Sequence, residues 1–264
     1  MGVPLLWSFI LQEGYKARLL WQFPQGPLPP DSVVRIDILA TFFSLIQRLL
    51  TSTSHDPSIP NIIFERHLIS CRIPKNSSIL YIDGASPEEK RETRLAREAK
   101  RALALQKAQT FIGTMEDQVL SRRGVRKQDF NKLAKHIRAA FYWSPESRAS
   151  MKAYLVEQGW NVVECPSEAD IAIAVDCQPA DVVVSADSDM LLYDSIRTIW
   201  RPLSRGRFLV YEVPDLLNYL GISRQKLTVL GIVSKNDYTT NLSRMGVATN
   251  FKIVKSLKDE GNCD

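Results

Sequence analysis

Seven acidic residues stand where an α/β sheet would gather them. Asp37 follows the apolar run 33–36, and Asp83 follows 79–82. Glu168 and Asp170 open a helix after the run 160–163, with Pro166 and Ser167 as start signals. Asp187 and Asp189 follow 181–184, and Asp237 follows the apolar helical stretch 227–233. In an open α/β sheet the carboxyl ends of the strands are where ligands bind. If these strands are neighbours, their acids crowd together, and two like charges about 4 Å apart repel by about 4 kcal/mol at an effective dielectric near 20. Such a cluster needs cations or protons. Oxygen donors without His or Cys select hard ions, Mg²⁺ or Mn²⁺, and paired ions of that kind hydrolyse phosphodiesters. Taken singly, each acid also reads as a helix cap or turn residue, Asp187 and Glu168 above all.

The elements that must position these acids are legible as short β-branched runs separated by helical patterns, which predict an α/β fold with a mostly parallel central sheet flanked by helices. The predicted strands are 33–36, 79–82, 160–163, 181–184 and 208–211. Their near-continuous apolar character predicts strands covered on both faces. A helix is predicted over Ile38–Leu50, and loops over the Pro- and Gly-rich segment 22–32 and over 51–60.

The chain has 264 residues and a net charge of +5, with 45% hydrophobic and 24% charged residues, the composition of a soluble globular protein. The charge is uneven. Residues 84–138 hold 14 Lys and Arg against 7 Asp and Glu, a local balance of +7 that leaves −2 for the remainder. Within this segment Lys90, Arg94, Arg97 and Arg101 recur at the spacing of one helical stripe. That stripe suits a phosphate backbone, although Glu88, Glu89, Glu92 and Glu98 interleave with it and offer ordinary surface pairing.

The remaining signals are mostly bland. Cys71, Cys165, Cys177 and Cys263 are scattered without a CxxC pair, and His55, His67 and His136 read as surface or packing residues, against a zinc site or a disulfide framework. No apolar run approaches the ~20 residues that span a bilayer, so an intracellular, soluble protein without a membrane partner is expected. Trp7, Trp21, Trp160 and Trp200 read as packing residues, and Phe141-Tyr142-Trp143 as packing or base-stacking residues.

Taken in order, these motifs resemble the flap endonuclease/XPG group of structure-specific 5′ nucleases, with a PIN-like fold. The start Met1-Gly2-Val3 through Leu6-Trp7 is similar to the group's N-terminus, which places Gly2 near the active site. The resemblance carries the metal-site roles onto Asp37, Asp83, Glu168, Asp170, Asp187, Asp189 and Asp237. Asp170 stands where Glu is usual. Lys90 and Arg97, seven and fourteen residues after Asp83, match the pair that contacts the scissile phosphate, and Phe43 the aromatic that stacks on a base. Gly246 matches a glycine of the hairpin that grips duplex DNA through main-chain amides and K⁺. Arg244 and Val247 replace the usual second Gly and Pro around it, and Lys235 and Asn236 replace the Gly and small residue before Asp237-Tyr238. Non-glycine residues resist the positive φ that close backbone approach uses.

The resemblance therefore implies one nuclease domain over 1–264. Its parts are an N-terminal part to about 83, a basic helical arch over about 84–150, an internal nuclease part over about 151–220 and a helix-two-turn-helix-like motif over about 221–258. It implies a nucleic-acid partner (DNA or RNA with a single-stranded 5′ part), two Mg²⁺ or Mn²⁺ ions, catalytic roles for Lys90 and Arg97, and backbone contacts for Arg94 and Arg101. A monomer without a partner-docking tail and a nuclear address are the corresponding expectations. Two other readings stand beside it: a nuclease-like fold kept as a nucleic-acid or protein-binding scaffold, and a Mg²⁺-dependent phosphatase of small molecules.

Overall fold

In the computed structural model, which describes residues 3, 5–21, 23, 31–51, 56, 58–203, 206–234 and 245–257, the apolar runs assemble into one seven-stranded sheet. Its strands are β1 (Arg18–Leu20), β2 (Val34–Asp37), β3 (Ser78–Ile82), β4 (Asn161–Glu164), β5 (Val182–Val184), β6 (Thr198–Pro202) and β7 (Phe208–Glu212), in the order β1-β7-β6-β5-β2-β3-β4. From β4 to β6 all neighbours are parallel; β7 then runs antiparallel to β6, and β1 antiparallel to β7. The chain winds outward from β2 through β3 to β4, then returns to the other side of β2 for β5 and β6. The order therefore reverses between β2 and β5, the kind of crevice where doubly wound sheets bind ligands.

Alternation along the strands divides the core in two. Ile36, Leu80, Ile82 and Val184 face α2 (Ile38–Leu50), α3 (Ile59–Ser70) and α6 (Pro145–Glu157). Tyr81, Val183, Ile199 and Tyr211 face α1 (Leu6–Gln12), α7 (Ala169–Asp176), α8 (Val213–Leu220) and α9 (Arg224–Val233). On this second face β2 presents Arg35, whose Nε meets Asp181 Oδ2 at 2.7 Å and whose guanidinium reaches the Tyr81 hydroxyl at 2.6 Å. Asp181 also accepts from the backbone N–H of Val33 and Gln178, so this buried charge pair is bonded on several sides.

Between β3 and β4 the chain leaves the sheet. A 3₁₀ turn, Glu88–Lys90, leads into α4 (Arg91–Leu120), which packs along α5 (Lys127–Ala139) as a helical hairpin. Thirty residues make α4 about 45 Å long, yet it buries only Ala104, Ala108 and Met115. At the other end, α9 and α10 (Val247–Ser256) are tied by the buried Asn250, whose amide donates to the Val233 carbonyl and contacts Ser234 Oγ, each at 3.1 Å.

Several expectations are revised. β1 and β6 were not predicted, and α3 begins at Ile59 inside the stretch read as a loop, with Pro60 accepted in its first turn. β4 is an edge strand whose side chains are mostly exposed, not a strand covered on both faces. Trp21 is 68% exposed, with the Arg207 guanidinium 5.2 Å from its ring, whereas Trp7, Trp160 and Trp200 are core residues. His67 packs edge-on against Phe42, and His136 lies near Phe111 in the hairpin. Cys71, Cys165 and Cys177 are buried free thiols. No described helix is long and apolar enough to cross a membrane. Gly2, Asp237, Tyr238, Arg244, Lys235, Asn236, His55, Cys263 and most of the 22–32 loop lie outside the described residues.

Candidate active site

The strand ends deliver their acids to one edge of the sheet, around the crevice between β2 and β5. Asp37 is both the last residue of β2 and the N-cap of α2: Oδ1 accepts from Ala40 N at 2.9 Å, and Ser185 Oγ stands 3.4 Å from Oδ2. Asp83 follows β3, and its Oδ1 accepts from Ala169 N at 2.8 Å, capping α7 from a distant strand because Glu168, the local N-cap, makes no side-chain cap bond. Asp170 in the first turn of α7 accepts from the Tyr193 hydroxyl at 3.0 Å. Asp187 follows β5 and accepts from Asp189 N, while Asp189 Oδ1 accepts from Val3 N, both at 3.0 Å.

Two features bring the β3 end against α7. Gly84 N donates to Ser167 O at 2.7 Å, and a side chain at Gly84 would place its Cβ 1.9 Å from the Cys165 carbonyl oxygen, so only glycine fits. From α6, Arg148 then donates to the Asp83 carbonyl at 2.7 Å. Its Nε is buried without a partner among the described residues.

The electrostatics record how close the acids are. Burial holds the Asp37 carboxyl well above the usual carboxylate range, with the charges of Asp83, Asp187 and Asp170 adding to it. Asp83 is raised by burial and by Asp170 and Glu168; Asp187 by burial and by Asp170. Asp189 is pushed up to about 7, by burial first and then by Asp187. Even the Cys165 thiol beneath them is raised to about 12, by burial and by the negative field of Asp83 and Asp37. Carboxyls so perturbed, gathered in a crevice, mark a candidate functional site. Asp37, Asp83, Glu168, Asp170, Asp187 and Asp189 thus share one field.

As they stand, no group of three or more His, Cys, Asp or Glu side chains among the described residues is arranged to hold a metal ion. The chemistry of the donor set nevertheless fits a hard cation: every donor is a carboxylate. In Asp83, Asp187 and Asp189 a backbone N–H fixes one oxygen and leaves the other to a ligand. The cluster also holds a cation of its own. The spacing puts Lys90 on a helical stripe whose ordinary reading is a solvated face, while the resemblance makes it a phosphate contact. Lys90 is only 8% exposed, at the N-cap of α4, with Nζ 2.8 Å from Glu168.

The rest of the stripe behaves differently. Arg94 reaches Glu88, Arg97 is exposed, and the Arg101 guanidinium lies over Tyr142. Phe43 is partly exposed on α2, edge-on to Phe141 at 5.9 Å. Gly246 is the N-cap of α10 with φ −94°, and nothing lies within 4 Å of a Cβ there, so its backbone makes no demand for glycine. Sequence reasoning missed Ser185, Tyr193 and Arg148. Ser185, directly after the Val182–Val184 strand, carried a signal; Tyr193 and Arg148 lie in ordinary surroundings and carried none.

Fold and site together define a doubly wound, mostly parallel α/β protein with an all-carboxylate cluster and one buried lysine at its switch point. No protein-family model matches the chain. In sequence the chain is similar to flap endonucleases, and in fold to solved nuclease structures. Flap endonuclease 1 of Methanocaldococcus jannaschii is 27% identical over 183 residues, 67% of this chain and 52% of that protein. Flap endonuclease 1 of Methanosphaerula palustris is 28% identical over 274 residues, 97% of this chain and 76% of that protein. The chain spans about half the length of the first and of several other curated relatives. The catalytic core of Rad2 in complex with DNA substrate shares the fold, with a TM-score of 0.60 at 16% identity over 96% of this chain and 67% of that one.

Proposed function

We propose that this protein is a divalent-metal-dependent, structure-specific nuclease that hydrolyses phosphodiester bonds of DNA or RNA near 5′ ends, flaps or junctions. The observation that carries the reading is that six acids from four strand ends gather around one crevice, where burial and neighbouring negative charge raise the carboxyls of Asp37, Asp83, Asp187 and Asp189. An arrangement so costly without cations is the natural host of Mg²⁺. Asp83, Glu168, Asp170, Asp187 and Asp189 would hold the ions most directly, with Asp37 and Asp237 acting directly or through water. Two bound ions would supply an activated water and charge neutralisation at the leaving oxygen.

The chain's own residues do the rest. Backbone N–H groups orient Asp83, Asp187 and Asp189 before any ligand arrives. Lys90, beside Glu168, presents a point charge to the scissile phosphate, and Arg97, two turns along α4, a planar fork. Arg94 extends contact along the backbone, as does the N–H edge of the Arg101 guanidinium outside the face it turns to Tyr142, while Gly2, Phe43 and Gly246 are further points of contact. Sequence likeness to flap endonucleases supports DNA as substrate, and a nuclear site of action accords with that resemblance.

One observation favours the scaffold reading: the acids among the described residues, as placed, are not arranged to hold an ion. Cleavage of labelled 5′ flap, single-stranded, hairpin and blunt substrates, as DNA and RNA, decides between the two. The assay is run with Mg²⁺, Mn²⁺ or EDTA, beside Asp187→Ala. Metal-dependent cutting abolished by the substitution is expected. Binding without cutting in either metal refutes the nuclease and leaves the scaffold.

A further inference from the structure

The connection between α5 and α6 carries three consecutive aromatics with different surroundings. Trp143 is buried in the core, and Phe141 packs edge-on against Phe43. Tyr142 is 56% exposed, with the Arg101 guanidinium 4.9 Å from its ring centre. These two residues, with Glu98, Ala102, Leu105 and Ala140, line an open groove of about 360 Å³ at the base of the helical hairpin.

We propose that this groove is a stacking site for one unpaired nucleobase of the nucleic-acid strand, with Tyr142 as the platform. The inference rests on the nucleic-acid reading above and names a contact within it. A phenol ring, a planar guanidinium and the apolar surfaces of Ala102, Leu105 and Ala140 suit a flat aromatic ligand. Glu98 decides between base and backbone. A phosphate in this groove would meet its negative charge, whereas a base edge brings N–H donors that a carboxylate accepts. Position agrees as well. Arg101 lies eleven residues beyond Lys90, about 16 Å along the helix, which at 3.4 Å per stacked nucleotide is no more than about five nucleotides from the acid cluster. The groove thus reads an unpaired strand close to the proposed point of cutting, and does so through the presence of a base rather than its identity.

The test uses the full chain in EDTA and a DNA duplex with a single-stranded 5′ arm, carrying 2-aminopurine at each of the five unpaired positions nearest the junction in turn. Quenching is expected at one position, lost in Tyr142→Ala and kept in Tyr142→Phe. Affinity falls about 5- to 150-fold in Tyr142→Ala, the range of one lost base–aromatic stack. An abasic nucleotide at the quenched position lowers wild-type affinity by a similar factor and makes wild type and Tyr142→Ala bind alike. If Tyr142→Ala loses affinity equally for the abasic arm, the side chain only supports the fold and the inference is overturned. Unchanged affinity and quenching in Tyr142→Ala overturn it too, while leaving the nucleic-acid reading intact. Failure of the wild type to bind any arm removes both.

Discussion

Replacing Gly84 by alanine tests whether the meeting of the β3 end with the 165–167 turn sets the geometry of the acid cluster. The new Cβ would lie 1.9 Å from Cys165 O and 2.9 Å from the carbonyl carbons of Cys165 and Pro166, all backbone atoms without a rotamer to escape into. Reaching even 3.0 Å from that oxygen requires the two segments to part by about 1.1 Å. That movement breaks the bonds from Gly84 N to Ser167 O and from Ala85 N to Pro166 O. Two lost bonds at about 1 kcal/mol each, with overpacking of about 1–3 kcal/mol, give a destabilisation of about 3–5 kcal/mol. From a mid-range total of about 10 kcal/mol, this loss leaves most of the protein folded. The same displacement moves Asp83 relative to Glu168 and Asp170, and a misplacement of about 1 Å costs on the order of 100-fold in turnover. Urea unfolding and single-turnover cleavage in Mg²⁺ measure the two effects. Gly113→Ala, where a Cβ meets nothing within 4 Å inside α4, is the control and should gain about 1 kcal/mol. A Gly84→Ala protein as stable as wild type and cutting within threefold of it would refute the reasoning.

Other perturbations address the charges. Because the carboxyls of Asp37, Asp83, Asp187 and Asp189 are raised on folding, the native state holds more protons than the unfolded chain from the ordinary carboxylate range near pH 4 up to about pH 7. The stability this brings is complete below that window and is lost as pH rises through it. The metal-free melting temperature therefore falls from pH 5 to pH 8, and the rise on adding Mg²⁺ is larger at pH 8; equal rises at both pH values would contradict the assignment. Asp187→Asn keeps a capping side chain but removes one repelling charge. It should raise the metal-free Tm by about 2–4 °C, the shift of about 1 kcal/mol, while cleavage drops at least about 100-fold; a lower Tm would count against crowding. Arg148→Gln loses charge-assisted bonds to the Asp83 and Gly84 carbonyls, worth about 1.5–3 kcal/mol, and should lower kcat with KM little changed; a pure KM effect would make Arg148 a substrate contact. Asp181→Ala leaves the buried Arg35 only the Tyr81 hydroxyl and the half-exposed Asp176 carboxylate 3.8 Å away, and should cost about 3 kcal/mol in urea unfolding. A cost below about 1 kcal/mol would mean that Asp176 or water replaces Asp181 at Arg35.

The acids were legible because a parallel sheet writes itself as apolar runs ending in polar residues, and Asp37, Asp83 and Asp187 sit at such ends. Lys90 was half legible. Its spacing to Arg94 and Arg101 is helical, yet the 3₁₀ turn that follows Pro87 places it at the N-cap, where its amine turns back towards Glu168. β1 is three residues with no buried side chain and exists only by pairing with β7, a partner almost two hundred residues away. β6 hides behind Arg201 and Pro202, which weaken any strand pattern. Asp83 as the cap of α7 is a tertiary fact with no local signature.

The bond from Val3 N to Asp189 spans 186 residues, and that from the Trp7 indole to Ala186 O spans 179. Residues 3–10 thus leave the ribosome long before the segment that fixes them, and are late to find their place. At about 5–20 residues per second, Leu6, Trp7, Phe9 and Ile10 wait about 10–40 s for the segment that will cover them. Until then they are exposed apolar surface beside an unfinished sheet. A transcript broken anywhere before residue 189 yields no small, weaker version of the protein, because its acid cluster closes only when both ends of this long loop meet.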